Sequence, residues 1–205
     1  MITIGIAGGV ASGKSVVSAR LAELGACVLD ADRLGHEVLE QAEVIAAAKE
    51  RWGAKVVSDS GAIDRSAVAK RVFAKGDQGA KELAWWESCT HPRITQLLKN
   101  RLTEILEQER TSGDEIVFVL DAPVMFKAGW DRLCDHLVFV FTPEDMRMER
   151  ALKRKDWDEQ QFRDREASQL SVEEKMKLAS FVVDNSGSLI KTYEQVQRFW
   201  DSLSD

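Results

Sequence analysis

Cysteine is scarce in this chain, basic charge is outnumbered, and long apolar runs are missing. The three cysteines, Cys27, Cys89 and Cys134, are odd in number, far apart and include no C-x-x-C pair. That pattern excludes a disulfide framework and a zinc site and leaves buried free thiols as the reading. Twenty-eight Lys and Arg stand against 34 Asp and Glu, a formal net charge of -6 over 205 residues. An acidic surface is a poor partner for nucleic acid or anionic membrane, so neither is expected as a ligand. Apolar runs such as IVFVL at 116–120 are far too short to span a bilayer, and MITIGIAGG at the start has no basic segment ahead of an apolar run. These features predict a soluble, cytoplasmic protein with no membrane partner. At 44% hydrophobic and 30% charged residues, the composition suits one sizeable core with an appended subdomain.

Five short β-rich runs are present: ITIGIA (2–7), ACVLDA (26–31), EIVFVLD (115–121), HLVFVF (136–141) and SFVVDN (180–185). Most are continuously apolar, and a strand apolar on both faces belongs in a parallel sheet covered by helices on both sides. The segments between supply those helices. Residues 14–24 read as a helix ending at Gly25, and Thr142-Pro143 as a cap followed by proline at the first helical position. Asp158 with Gln161, and Ser171 with Glu174, have capping-box spacing. Residues 33–113 form an insertion far longer than an ordinary crossover and are expected to be a helical subdomain. Within it, 33–52 reads as a helix ending at Gly53, SDSGAID as a turn, 65–75 as a helix, and 78–111 as helical with a break near Pro92. A second insertion, 143–178, is helical and densely charged, with acids and bases nearly balanced, as on a solvated face.

Gly8-Gly9-Val10-Ala11-Ser12-Gly13-Lys14-Ser15 satisfies G-x-x-x-x-G-K-[ST] between a strand and a helix. In that context the backbone curls its N–H groups inward and the helix N-terminus adds its positive end, which together cradle phosphates. Lys14 is then placed on the β- and γ-phosphates of a nucleotide, and the Ser15 hydroxyl on Mg²⁺. Asp121, at the end of VFVLD, is a candidate metal carboxylate, or an ordinary strand-end residue. At the end of the second strand LDAD gives Asp30 and Asp32, which strand periodicity puts on the same side, able to face the Lys14 loop. Asp32 suits an attacking hydroxyl, or a cap for the helix that follows.

These stretches resemble a known family. IAGGVASGKS, LGACVLDAD, SGAIDR, HPRI, DAPVMF, REASQLSVEEK and FVVDNSGS occur in the order and at the spacings of dephospho-CoA kinases, over about residues 2–190. The resemblance implies a P-loop, nucleoside-monophosphate-kinase-like α/β fold. Its five-stranded parallel core would comprise 1–32, 114–142 and 179–205, with 33–113 binding CoA and 143–178 a lid. It implies ATP-dependent phosphorylation of the ribose 3′-hydroxyl of dephospho-CoA, with Mg²⁺. ATP would be held by Gly8, Gly9, residues 11–16 (Ala11, Ser12, Gly13, Lys14, Ser15, Val16), Arg165 and Asn185, the last in a loop against the adenine. Lys14, Asp32 and Arg154 would be catalytic, Asp32 acting on the acceptor hydroxyl and Arg154 as the lid arginine. His91 and Pro92 would join Asp32 in binding the acceptor, Ser15 and Asp121 would hold the metal, and Arg165 with Gln169 matches an R-x-x-x-Q pattern. Lys127 departs from the pattern, standing where an acid is usual. Trp85 and Trp86, just before His91, are candidates to line an adenine or pantetheine pocket, or to pack. A kinase for another small molecule on the same scaffold, such as shikimate kinase, is an alternative. A regulatory nucleotide switch is another, although no N-K-x-D guanine signature occurs.

Overall fold

A computed structural model of the chain describes residues 1–108, 115–153 and 157–203. Contacts divide it into two compact units, Met1–Asp30 with Glu109–Asp205, and Ala31–Gln108.

The first unit is a three-layer α/β/α sandwich. Strands β1 (Ile2–Gly8), β2 (Cys27–Asp30), β3 (Val117–Asp121), β4 (His136–Phe141) and β5 (Phe181–Asp184) form one parallel sheet in the order β2-β3-β1-β4-β5. The apolar residues alternate in direction along each strand, so both faces need cover. Ile4, Ile6, Val119, Val138, Val140 and Val183 pack on one face against Val17 and Leu21 of α1 (Lys14–Glu23) and Val196 and Phe199 of α10 (Leu189–Asp201). Burying each such side chain contributes about 1.5–3 kcal/mol. The opposite face carries the buried Phe118, Leu120 and Phe139, with α6 (Met125–Ala128) and α9 (Val172–Leu178) beside it. From β3 the chain crosses over β1 to reach β4, so β1 lies where the strand order reverses. In open parallel sheets ligands bind at the carboxyl ends of the strands near that point.

Helices α7 (Glu144–Leu152), α8 (Glu159–Ala167) and α9 follow β4, and both expected capping boxes are present, Asp158 with Gln161 and Ser171 with Glu174. Thr142 does not cap α7. Pro143, in an extended conformation, takes the flanking position, and the Thr142 hydroxyl is buried elsewhere. Cys27, Cys89 and Cys134 are free but half-buried, and burial pushes the Cys134 thiol up to about 12.

The second unit is helical: α2 (Ala31–Leu39), α3 (Ala42–Trp52), a 3-10 turn at Ala54–Val56, α4 (Arg65–Val72) and α5 (Asp77–Gln108). The single helix expected over 33–52 is two. Leu34 and Val38 are buried in α2, and Val44, Ala48 and Trp52 in α3. From Val38 to Val44 is six residues, which is not a whole number of turns at about 3.6 residues each, so one straight helix would split these residues between faces. The extended backbone at Gln41 restores the register. The helix expected over 65–75 stops earlier, at Val72, with Asp64 accepting from the Ser66 and Ala67 N–H groups at its start. SDSGAID is a turn, closed by the Ser58 N–H donating to the Ala62 carbonyl at 2.8 Å.

Pro92 does not break α5, which runs through it. Side chains serve the carbonyls around it instead. Thr90 Oγ1 donates to Trp86 O, Arg93 Nη1 to Cys89 O and Thr95 Oγ1 to His91 O, at 2.9, 2.6 and 2.8 Å. Trp85 and Trp86 pack with Trp52, at ring-centroid distances of 4.9 and 5.3 Å. Beneath them the Glu82 carboxylate accepts from Arg51, Trp52 Nε1 and Gln78.

Candidate active site

The site is built on the turn from β1 into α1. Gly13 takes the position before α1 with φ 93°, a conformation that disfavours any residue with a Cβ, and a Cβ there would also run into the Asn185 amide. Among the described residues no side chain caps α1, and no acid lies in its first turn. The positive end of the helix is therefore left without a protein side chain or acid to neutralise it, the requirement for an anion cradle. Among the described residues Ala11 is the one non-glycine residue with positive φ, at 58°. Holding it there costs about 1–2 kcal/mol, which the surroundings must supply.

They supply it through hydrogen bonds to the loop backbone from remote parts of the chain. The Ser12 carbonyl accepts from Thr142 Oγ1 at 2.9 Å and from Asn185 Nδ2 at 2.8 Å. Asn185, 7% exposed, in turn accepts from Thr192 Oγ1 at 2.9 Å. Arg150 Nη2 donates to the Asn185 carbonyl at 2.9 Å, and its Nη1 lies 3.3 Å from Thr142 Oγ1. Asn185, expected at the nucleotide, thus has its amide engaged in holding the phosphate loop itself. Ser12 Oγ is buried under the loop without a hydrogen-bond partner among the described residues.

Beside the loop, Asp121 ends β3 level with Ile6 of β1 and with Asp30 of β2. Residues paired across parallel strands point to the same face, which places two carboxylates side by side at the carboxyl edge of the sheet. Asp32 is not on that strand. β2 ends at Asp30 and Asp32 lies exposed in the first turn of α2, so the expected strand alternation from Asp30 to Asp32 does not hold. A strand running straight into a helix changes the side-chain period from two to 3.6 at that point.

Of the residues expected in the site, Gly8, Gly9, Ala11, Ser12, Gly13, Lys14, Ser15 and Val16 form the one loop and helix start, with Asn185 bonded to it. Arg165 is exposed on α8, its guanidinium 4.3 Å from the Trp157 ring centroid. Gln169 accepts from Lys175 Nζ at 2.7 Å. His91 is half-buried and Pro92 exposed on α5 of the second unit, and Lys127 is exposed on α6. Arg154 lies outside the described residues. Among the described residues no group of three or more His, Cys, Asp or Glu is placed to hold a metal.

Sequence reasoning missed Thr142, Arg147, Arg150, Glu166 and Lys175. The charges of 143–178 read as a solvated face, yet Arg147 and Lys175 are each 4% exposed. One signal was available: Arg147 lies four residues before Ala151, on the stripe that α7 buries.

The comparisons with known proteins agree with this geometry. A family model described as dephospho-CoA kinase matches residues 2–191. A dephospho-CoA kinase from Corynebacterium jeikeium is 36% identical over 203 residues, covering 99% of this chain and 100% of that one. One from Aquifex aeolicus is 34% identical, covering 100% and 98%. Among solved structures, TT1252 from Thermus thermophilus superposes with a TM-score of 0.82 at 30% identity, covering 98% of this chain and 97% of that one. The dephospho-CoA kinase from Campylobacter jejuni gives 0.64 at 20% identity, covering 98% and 96%, a likeness of fold. A phosphate loop at the reversal point of a parallel sheet is common to many P-loop enzymes, but a family match over nearly the whole length is not, and on it the chain belongs to the dephospho-CoA kinases, a family of P-loop kinases.

Proposed function

We propose that the protein transfers the γ-phosphoryl group of ATP to the ribose 3′-hydroxyl of dephospho-CoA, giving coenzyme A and ADP. The observation that carries this reading is the uncapped start of α1 behind Gly13, with Lys14 as its first residue and Asp121 at the neighbouring strand end. Phosphoryl transfer passes through a loose transition state, so the protein's task is to position the groups and stabilise spreading charge. Amides of residues 11–16 and the Lys14 ammonium do this for the phosphates, with Arg154 from the 143–178 lid and Arg165 adding cations when the lid closes. Asp32 accepts a hydrogen bond from the 3′-hydroxyl, orienting it for in-line attack and taking its proton as the new P–O bond forms and ADP leaves. His91 and Pro92 belong to the acceptor-binding subdomain in this reading.

Ser15 and Asp121 are the residues that would hold Mg²⁺. One hydroxyl and one carboxylate fit that ion, which keeps several waters and takes further oxygens from the nucleotide, so a cage of three or more protein ligands is not required. When bound, the ion neutralises charge on the phosphate oxygens. No helix among the described residues is long and apolar enough to cross a membrane, and action in the cytoplasm on these two small molecules is part of the same proposal.

The test is ADP release with dephospho-CoA, AMP and shikimate offered in parallel, and the product's phosphate located by NMR. ADP release with dephospho-CoA alone and a 3′-phosphate are expected. Faster turnover of either other acceptor, or a phosphate elsewhere on the ribose, would overturn the assignment.

A further inference from the structure

Three charged side chains, one from each of α7, α8 and α9, end on the same short stretch of the phosphate loop. Arg147 Nη1 donates to the Val10 carbonyl at 3.3 Å and to Glu166 Oε2 at 2.6 Å, while its Nε donates to the Thr142 carbonyl at 3.1 Å. The other oxygen of Glu166 accepts the Val10 N–H at 2.5 Å. Lys175 Nζ donates to the Gly8 carbonyl at 3.4 Å and to Gln169 Oε1 at 2.7 Å. One ion pair therefore grips both polar groups of Val10, and a second cation grips Gly8. The residue after Val10 is Ala11, with its left-handed backbone. Gly9 lies between, and a Cβ there would run into the Arg147 guanidinium.

Burying charges is an inefficient way to add stability, because desolvation offsets most of the attraction and apolar replacements often do as well. A charge pair does fix direction, since each of its hydrogen bonds must point at a particular backbone group. We propose that Arg147, Glu166 and Lys175 are positioning residues for nucleotide binding, holding Gly8–Val10 so that the amides that follow face the phosphates. This rests on the reading of Gly8–Ser15 as the ATP site.

Lys175 also makes the clamp sensitive to charge on the loop. The charged groups facing it are Glu166 of α8, Arg147 of α7 and Lys14 of α1; burial, with the two cations, outweighs Glu166 and holds the ammonium down to about 8. A bound triphosphate adds negative charge to the same surroundings and favours the protonated form. ATP binding then takes up protons near pH 8, and affinity falls as pH rises through that region.

Calorimetric titration of MgATP at pH 7–9, in buffers of different ionisation enthalpy, reads both affinity and proton uptake, with thermal unfolding of each variant alongside. The wild type is expected to take up a fraction of a proton at pH 8. Lys175→Met should bind more than tenfold more weakly at pH 7 with no uptake. Lys175→Arg, whose guanidinium stays charged, should keep affinity within about threefold and lose the pH dependence. Gly9→Ala should weaken binding more than tenfold in the wild type and less than twofold beside Arg147→Ala, and additive losses would overturn the clamp. A merely structural role predicts lower melting temperatures with the affinity and pH profile of the wild type, and that result would overturn the proposal. If the wild type itself fails to bind MgATP, the ATP-site reading falls and the clamp with it. If it binds and the variants match it, only the clamp falls.

Discussion

Each unit of the protein sets a carboxylate against an arginine, Glu82 buried and Glu166 half-buried, and the two use the arrangement differently. In the helical unit Glu82 accepts from four side-chain nitrogens, Arg51 Nε and Nη2, Trp52 Nε1 and Gln78 Nε2, at 3.0, 3.3, 2.7 and 2.5 Å. Its carboxylate is satisfied by side chains, and the result ties α3 to α5 under the tryptophan rings. In the nucleotide unit Glu166 accepts from one side chain and one loop amide, and Arg147 and Lys175 each donate one hydrogen bond to a loop carbonyl. The first arrangement joins helices; the second shapes a loop. Their pH signs differ accordingly. The Arg51 and Trp52 hydrogen bonds hold Glu82 below the usual carboxylate range, so its contribution is present above that range and is lost as pH falls through the lowered value. Lys175 is held below the usual lysine range by burial, so the unfolded chain binds its proton more tightly. Stability from this group rises as pH goes from about 8 towards 10.5. The helical unit gains from its buried charge at neutral pH, and the nucleotide unit gives up stability for geometry.

Breaking the nucleotide side of this comparison should have the largest effects, and they should appear in rate. Lys14→Ala is expected to lower turnover by about 10³ or more while the melting temperature stays within a degree or two, because it removes charge stabilisation at the transferring phosphates. Steady-state ADP release with parallel thermal unfolding checks it, and near-normal turnover would remove the loop from the mechanism. Asp32→Asn should lower kcat by about 10² with little change in ATP affinity, since the amide keeps the shape and cannot take the proton. Lost stability at an unchanged rate would show instead that Asp32 serves the first turn of α2.

On the helical side the effects should move to stability. Glu82→Gln should lower the melting temperature by several degrees at pH 7, and the gap from wild type should close as pH falls below the usual carboxylate range. A gap independent of pH would mean that the shape of the side chain, and not its charge, holds α3 to α5. The smallest effect expected is at the exposed cap of α8: Asp158→Ala removes half of a capping box and should cost about 1 kcal/mol, read by denaturant unfolding, with normal kcat. A fall in kcat there would tie the start of α8 to the reaction.

How far each feature was legible in the sequence follows from how local its cause is. The five strands were readable because doubly buried strands are continuously apolar, and the phosphate loop because its glycines, lysine and serine are adjacent. Both capping boxes span four residues and were equally plain. Three readings failed where packing overrode a local signal: the helix break at Gln41, the unbroken α5 at Pro92, and the role of Thr142 as a loop tether. Arg147 and Lys175 looked solvated because the dense charge of 143–178 outweighed the one local sign of burial, the i, i+4 spacing of Arg147 and Ala151, and nothing local marks what either head group meets.

The sequence by itself determined the parallel α/β core, the phosphate cradle at the end of β1 and the family resemblance, since each is written in short runs whose physics is complete within a few residues. Only the tertiary structure decided what holds that cradle in shape. Val10 meets Glu166 and Arg147, and Ser12 meets Thr142 and Asn185, across sequence separations of 130 to 173 residues. Hydrogen bonds of that kind depend on which helix ends the folded sheet brings together, and the backbone they grip has no pattern of its own in the amino-acid order.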